Sequence, residues 1–160
     1  MKKLVCAMLS FLLFTTCIPS NVLAAETTYP KVSHVYTVED DYAADDWTTD
    51  QKGAYLASGR SSITRTSNNS ISISGNTNAT QTCDKIRLTL YVERSTSYST
   101  VYGTYKTYAY TADNAYQLTK EISNIPVERG YYYRVVGVHS VTEGNVTETT
   151  DSVTNPIDYR

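Results

Sequence analysis

Apolar and polar residues alternate along most of this chain, and nowhere do they fall into a helical period. The clearest stretch is "DKIRLTLYVER" (84–94), where Ile86, Leu88, Leu90 and Val92 take one phase. Lys85, Arg87, Thr89, Tyr91 and Glu93 take the other. Successive strand side chains point to opposite faces, so this pattern predicts a strand with one dry and one wet side. Further strands are expected at "SSITRT" (61–66), "SISISG" (70–75), "TVYGTYKTYAYT" (100–111), "AYQLTKEIS" (115–123), "YYYRVVGVHSV" (131–141) and "VTETTDSV" (146–153). Gly, Asn, Asp and Pro signals separate them, as in "NN" (68–69), "ADN" (112–114), "NIPVERG" (124–130) and "TEGN" (142–145). Seven short strands so punctuated predict an all-β fold. The expected form is a single antiparallel β-sandwich, immunoglobulin- or fibronectin-III-like, over residues 53–160.

The N-terminus departs from this pattern. Lys2 and Lys3 precede an apolar run from Leu4 to Ile18, and Pro19, Ser20 and Asn21 then lead into "VLA". A basic start, a short apolar run and a small-residue site make a signal peptide over 1–24, cleaved after Ala24. The run falls short of the about 20 apolar residues that span a bilayer, so no retained membrane anchor is expected. Both Phe, both Met and two of the three Cys residues lie in this segment, whereas all 15 tyrosines lie beyond it. Cys83 alone cannot make an internal disulfide, so the core must hold by burial.

Residues 25–52 form a second departure. From Glu26 to Lys52 there are seven acids against Lys31 and Lys52, while Gly53 to Arg160 is almost balanced, with nine acids and ten bases. So acidic a stretch with few aliphatic residues is expected to be a flexible leader. A calcium loop is the alternative for its carboxylates, but the required alternation and Gly are missing. The net charge of −2 argues against nucleic acid, whose affinity comes largely from basic patches.

Phase also sorts the tyrosines. In "GYYYRVVGVHS" Arg134 marks the wet face, with Tyr132, Val136 and Val138, and leaves Tyr133, Val135, Gly137 and His139 inward. Tyr131 or Tyr133, following "IPVERG", fits a tyrosine corner, whose hydroxyl bonds back to the corner backbone. Taking Lys106 as a wet-face marker puts Tyr102, Tyr108 and Tyr110 outside and Tyr105 inside. In a sandwich the third, fourth, sixth and seventh strands share a sheet. Its outer face would gather Lys85, Arg87, Tyr91, Tyr102, Lys106, Tyr108, Tyr110, Tyr132 and Arg134. Tyr and Arg are enriched at binding surfaces, and such a face would fit a cell-wall glycan or an extracellular protein. The competing reading is structural cover through cross-strand pairs, with no specific ligand.

Four segments, "GAYLASGRSSIT", "SISISG", "DKIRLTLYVER" and "GYYYRVVGVHSVTEGNVTETT", together with the signal peptide, resemble a family of small secreted proteins of Gram-positive bacteria. That family is a domain of unknown function. The resemblance covers roughly residues 53 to 155. It implies secretion and a β-rich body, and it brings no activity, ligand or catalytic residue.

Catalytic chemistry is thinly supplied. The body holds one Cys (Cys83) and one His (His139), and no local motif brings them together. Cys83 shares the parity of Lys85 unless a bulge precedes Asp84, and His139 reads as a hydrogen-bonded histidine near a strand end. There is no Gly-x-Ser-x-Gly, Cys-x-x-Cys or His-Glu-x-x-His. Glu93, Glu121 and Glu148 read as ordinary outer-face charges. A non-catalytic extracellular protein without cofactor or metal is therefore expected, with a secreted hydrolase as the lesser alternative.

Overall fold

The computed structural model describes residues 41–48, 53–98 and 101–160. The expected signal peptide (1–24) and residues 25–40 and 49–52 of the expected leader lie outside the described residues. The described chain is all-β: β1 (Tyr42–Thr48), β2 (Leu56–Ser67), β3 (Ser70–Ser95), β4 (Gly103–Pro126), β5 (Tyr132–Glu143), β6 (Val146–Val153) and β7 (Ile157–Asp158). Every pairing is antiparallel. They form one nearly barrel-shaped seven-stranded sheet, in which β1-β2-β3-β5-β6 is the path, β4 pairs β3 and β7 pairs β5.

The count of seven strands agrees with expectation, but its composition does not. The two strands expected at 70–75 and 84–94 are one 26-residue strand, β3. Those expected at 100–111 and 115–123 are one 24-residue strand, β4. The segment "ADN" bends β4 without ending it, with Asn114 at a φ of 49°. On β3 the matching irregularity is a register shift between Asn78 and Cys83. β1 is a correction to the leader: residues 42–48 pair with 58–64, and Ala43 is buried in the core. Backbone pairing and the small buried side chain of Ala43 hold this segment, and hydropathy registers neither.

The bend folds the sheet onto itself. The first half of β3 pairs with β2 and its second half with β5, along the same edge. β4 follows the opposite edge of both halves. A Cβ at Gly75 would lie 2.7 Å from the Leu90 side chain and 3.0 Å from that of Leu88, so the two halves of β3 meet where glycine leaves room. Tyr110 and Lys120 are ten residues apart, about 33 Å on a straight strand. In the bent β4 the Lys120 ammonium sits 5.3 Å from the Tyr110 ring centre. At the other side of the fold β1 approaches β6.

The core lies between these layers and holds Ile63, Ile71, Ile73, Ile86, Leu88, Leu90, Val92, Tyr133, Val135 and Val141. Tyr133 makes the corner contact that its sequence context suggested. Its hydroxyl donates to the Glu128 carbonyl at 3.1 Å and accepts from the Glu128 N–H at 2.9 Å. Burial pushes the Tyr133 hydroxyl pKa up, with the Glu128 hydrogen bond opposing. The rings of Tyr105, Tyr131 and Tyr159 all meet Tyr133 edge to face, a favoured aromatic geometry.

Candidate functional site

Residues directly opposite in an antiparallel pair share a face, so the register decides which predicted residues stand together. Tyr91 faces Val136, Glu93 faces Arg134, Arg87 faces Ser140 and Lys85 faces Thr142. Lys85, Arg87, Tyr91 and Arg134 therefore share the outer face of β3 and β5. Tyr102 joins them from the segment before β4, its ring 4.1 Å from the Arg134 guanidinium carbon. Arg134 is fixed from below by Glu93, with its Nη2 at 2.7 Å and its Nε at 2.8 Å from Glu93 Oε2. Both side chains are 18% exposed, which takes this ion pair out of the weak, fully solvated class. Arg87 is exposed, while Lys85, Tyr91 and Tyr102 are half-buried. Lys85 also reaches Asp113 at 3.5 Å.

Tyr132 lies on this side too, but it is only 3% exposed. Tyr98 packs edge to face on its ring, and the Arg160 guanidinium carbon stands 4.5 Å from its centre. Arg160 is held in turn by Asp158 at 2.8 Å.

The remaining three predicted residues belong to the opposite face. Val92 is paired with Lys106, Leu90 with Tyr108 and Leu88 with Tyr110, which puts Lys106, Tyr108 and Tyr110 on the core side. Tyr108 and Tyr110 pack against the core, as does Tyr105. Burial pushes the Tyr108 hydroxyl pKa up. Lys106 misled the phase because β4 is an edge strand among the described residues. There an inward lysine can lay its stem on the core and reach water past the rim, here with its ammonium 5.2 Å from the Tyr105 ring centre. The register shift between Val92 and Glu93 also leaves Tyr105 as an extra residue, which breaks the simple alternation.

A second constellation lies inside. His139 is fully buried in β5, away from the strand end where it was expected. Thr77 Oγ1 lies 2.9 Å from its Nδ1, and Ser152 Oγ lies 2.9 Å from its Nε2. Ser152 Oγ is in turn 2.6 Å from Ser61 Oγ. Glycines make room for the ring: a Cβ at Gly59 would fall 2.4 Å from it, and one at Gly137 would fall 2.8 Å from Nε2. Burial drives the His139 pKa down to about 4, so the ring is neutral at pH 7. Sequence reasoning missed Ser61, Thr77 and Ser152. Their only signal was a hydroxyl in the apolar phase, as with Thr77 in step with Ile71 and Ile73.

A serine hydroxyl on a histidine nitrogen has the geometry of an activated nucleophile. Here it is sealed in: Ser61, Thr77, His139 and Ser152 are each at most 1% exposed, and the far nitrogen meets a threonine instead of a carboxylate. Cys83 is separate from it. The thiol is buried at the bend and donates to the Gln81 carbonyl at 3.4 Å, and burial pushes its pKa up. Among the described residues no group of three or more His, Cys, Asp or Glu side chains gathers as a metal site.

Glu148 was read as an outer-face charge, yet it faces Val141 on the core side and works as a latch. Its carboxylate accepts the backbone N–H groups of Ala54 at 2.7 Å, Tyr55 at 3.0 Å and Leu56 at 2.6 Å. Burial raises its pKa, but these three donors outweigh that and hold it below the usual carboxylate range.

A family model described as "Family of unknown function (DUF6147)" matches residues 23–157 of the chain. No curated protein matches it.

Proposed function

The chain belongs to that family, whose description assigns no activity, and on its own geometry we propose that it is a non-catalytic binding protein. In this reading it is secreted from a Gram-positive cell and binds a cell-wall glycan or an extracellular protein. The outer face of β3 and β5 is the binding surface. The observation that carries the reading is the stack of Tyr102 on Arg134, with Glu93 holding the guanidinium and Tyr91 on the neighbouring row. A flat ring over a fixed guanidinium offers rigid area with polar edges, the character of binding hot spots. Export rests on the basic, apolar and small-residue pattern of residues 1–24. The fold is read as an immunoglobulin- or fibronectin-III-type sandwich whose two layers share the bent β3 and β4, and the Tyr133 corner supports it.

The test is retention of purified protein on whole cells and isolated walls. Tyr91→Ser and Tyr102→Ser together are expected to abolish retention while leaving the fold cooperative. Retention that survives both changes would refute this face as the site. Structural cover without a ligand is the second reading. It draws on Tyr105, Tyr108, Tyr110 and Tyr133, all of which pack on the core. A hydrolase is the least supported, because the Ser152–His139 pair is closed to any substrate.

A further inference from the structure

Among the described residues β4 presents an unpaired edge. It pairs among them with β3 alone, along one side and through both of its halves. An open edge offers a row of unused N–H and C=O groups to any extended chain, and proteins usually guard such edges with charge, proline or irregular backbone. The second half of β4 is guarded in this way. It carries exposed Lys120 and Glu121, Asn124 at a φ of 57°, and Pro126. The first half, from Thr104 to Ala112, has Lys106 as its single charge and otherwise alternates Thr, Tyr and Ala. Among the described residues the remaining long edges, on β1 and β6, lie towards each other.

We propose that residues 106–112 of β4 pair antiparallel with the same residues of a second copy, about a two-fold axis through Ala109. The sequence of this half fits itself. Opposite residues in an antiparallel ladder share a face, and pairing about Ala109 preserves the faces already set by β3. Thr107 then stands opposite Thr111 of the second copy, Tyr108 opposite Tyr110, and Lys106 opposite Ala112. Thr–Thr and aromatic–aromatic pairs stabilise antiparallel sheets, and no like charges meet. Each surface is used once by each copy, so the assembly closes as a dimer. Ala109 faces Thr89 on the outer face and is exposed, which makes it a position that can change without disturbing the core.

Sedimentation equilibrium of the purified full protein over a range of concentrations tests this directly. The wild type is expected to approach twice its monomer mass. Ala109→Lys and Ala109→Glu, each alone, set like charges across the axis and should raise the dimer dissociation constant roughly fivefold or more. An equimolar mixture of the two pairs opposite charges and should restore dimers to at least the wild-type level. Amide hydrogen exchange along 106–112 should slow as the dimer forms, with circular dichroism reporting that both variants keep their fold. A wild type that stays monomeric at millimolar concentration overturns the proposal. So do dimers that both single variants leave intact, a mixture of folded variants that does not re-associate, and capture of an unrelated protein's strand by a monomeric wild type.

Discussion

At the scale of single residues, the fold changes the chemistry of His139. Folded, it takes a proton only near pH 4, against 6.5 for the ordinary side chain, because burial penalises the charged ring. Between those values the unfolded chain binds more protons. Stability should therefore fall as pH is lowered from about 6.5, and the loss is complete below about pH 4, at about 3 kcal/mol. Glu148 adds a loss of the same sign, since its carboxylate is held low. His139→Gln separates the two contributions. The variant should be less stable than the wild type at pH 7, because Thr77 and Ser152 lose a well-placed ring. The gap should narrow by about 3 kcal/mol at pH 4. Urea unfolding of both proteins at the two pH values measures it, and a gap independent of pH would mean that His139 is not the buried base.

At the scale of elements, the legible parts were those with one wet and one dry face. Ile86, Leu88, Leu90 and Val92 alternate because core lies on one side only, and Tyr133 and Val135 do the same. β1 was illegible because its pairing with β2 uses backbone and its described core contact is the small Ala43. The continuity of β3 through "NTNATQTCD" was hidden because polar residues fill the bend, where the ladder to β4 shifts register after Asn78 and resumes at Cys83. Turn residues such as Asn114 read as stops, although one left-handed residue can redirect a strand without ending it. Glu148 shows the same limit from the other direction. A carboxylate in the phase of Val141 looks misplaced until the N–H groups of 54–56 supply its partners. Glu148→Gln removes the charge and one acceptor oxygen. It should cost about 1–2 kcal/mol, and the cost should shrink at acid pH, where the wild-type carboxylate is protonated. Hydrogen exchange at Ala54, Tyr55 and Leu56 should quicken more than at the core strands. Unchanged exchange there would mean that these amides are held by something other than Glu148.

At the scale of the whole molecule, folding β3 and β4 back on themselves leaves one side where both layers end in β4. Tyrosine closes that side. Tyr105 reaches the Pro126 carbonyl at 3.1 Å, Tyr110 meets Lys120, and Tyr108 packs on the core between them. An edge position needs a large apolar body to seal the core and a polar tip to meet water, and Tyr supplies both. Tyr105, Tyr108 and Tyr110 seal the β4 side, whereas Tyr91 and Tyr102 lie on the outer face, a difference that composition merges. Truncation should separate them. Tyr108→Ser and Tyr110→Ser each strip apolar area from the core seal and should lower stability by about 2 kcal/mol. Tyr91→Ser sits on the outer face and should cost about 1 kcal/mol or less, through lost cross-strand pairing. Denaturant melts of the three variants make the comparison. If Tyr91→Ser proved as costly as the other two, its ring would be cover like theirs, and the outer face would lose its claim to be kept for binding.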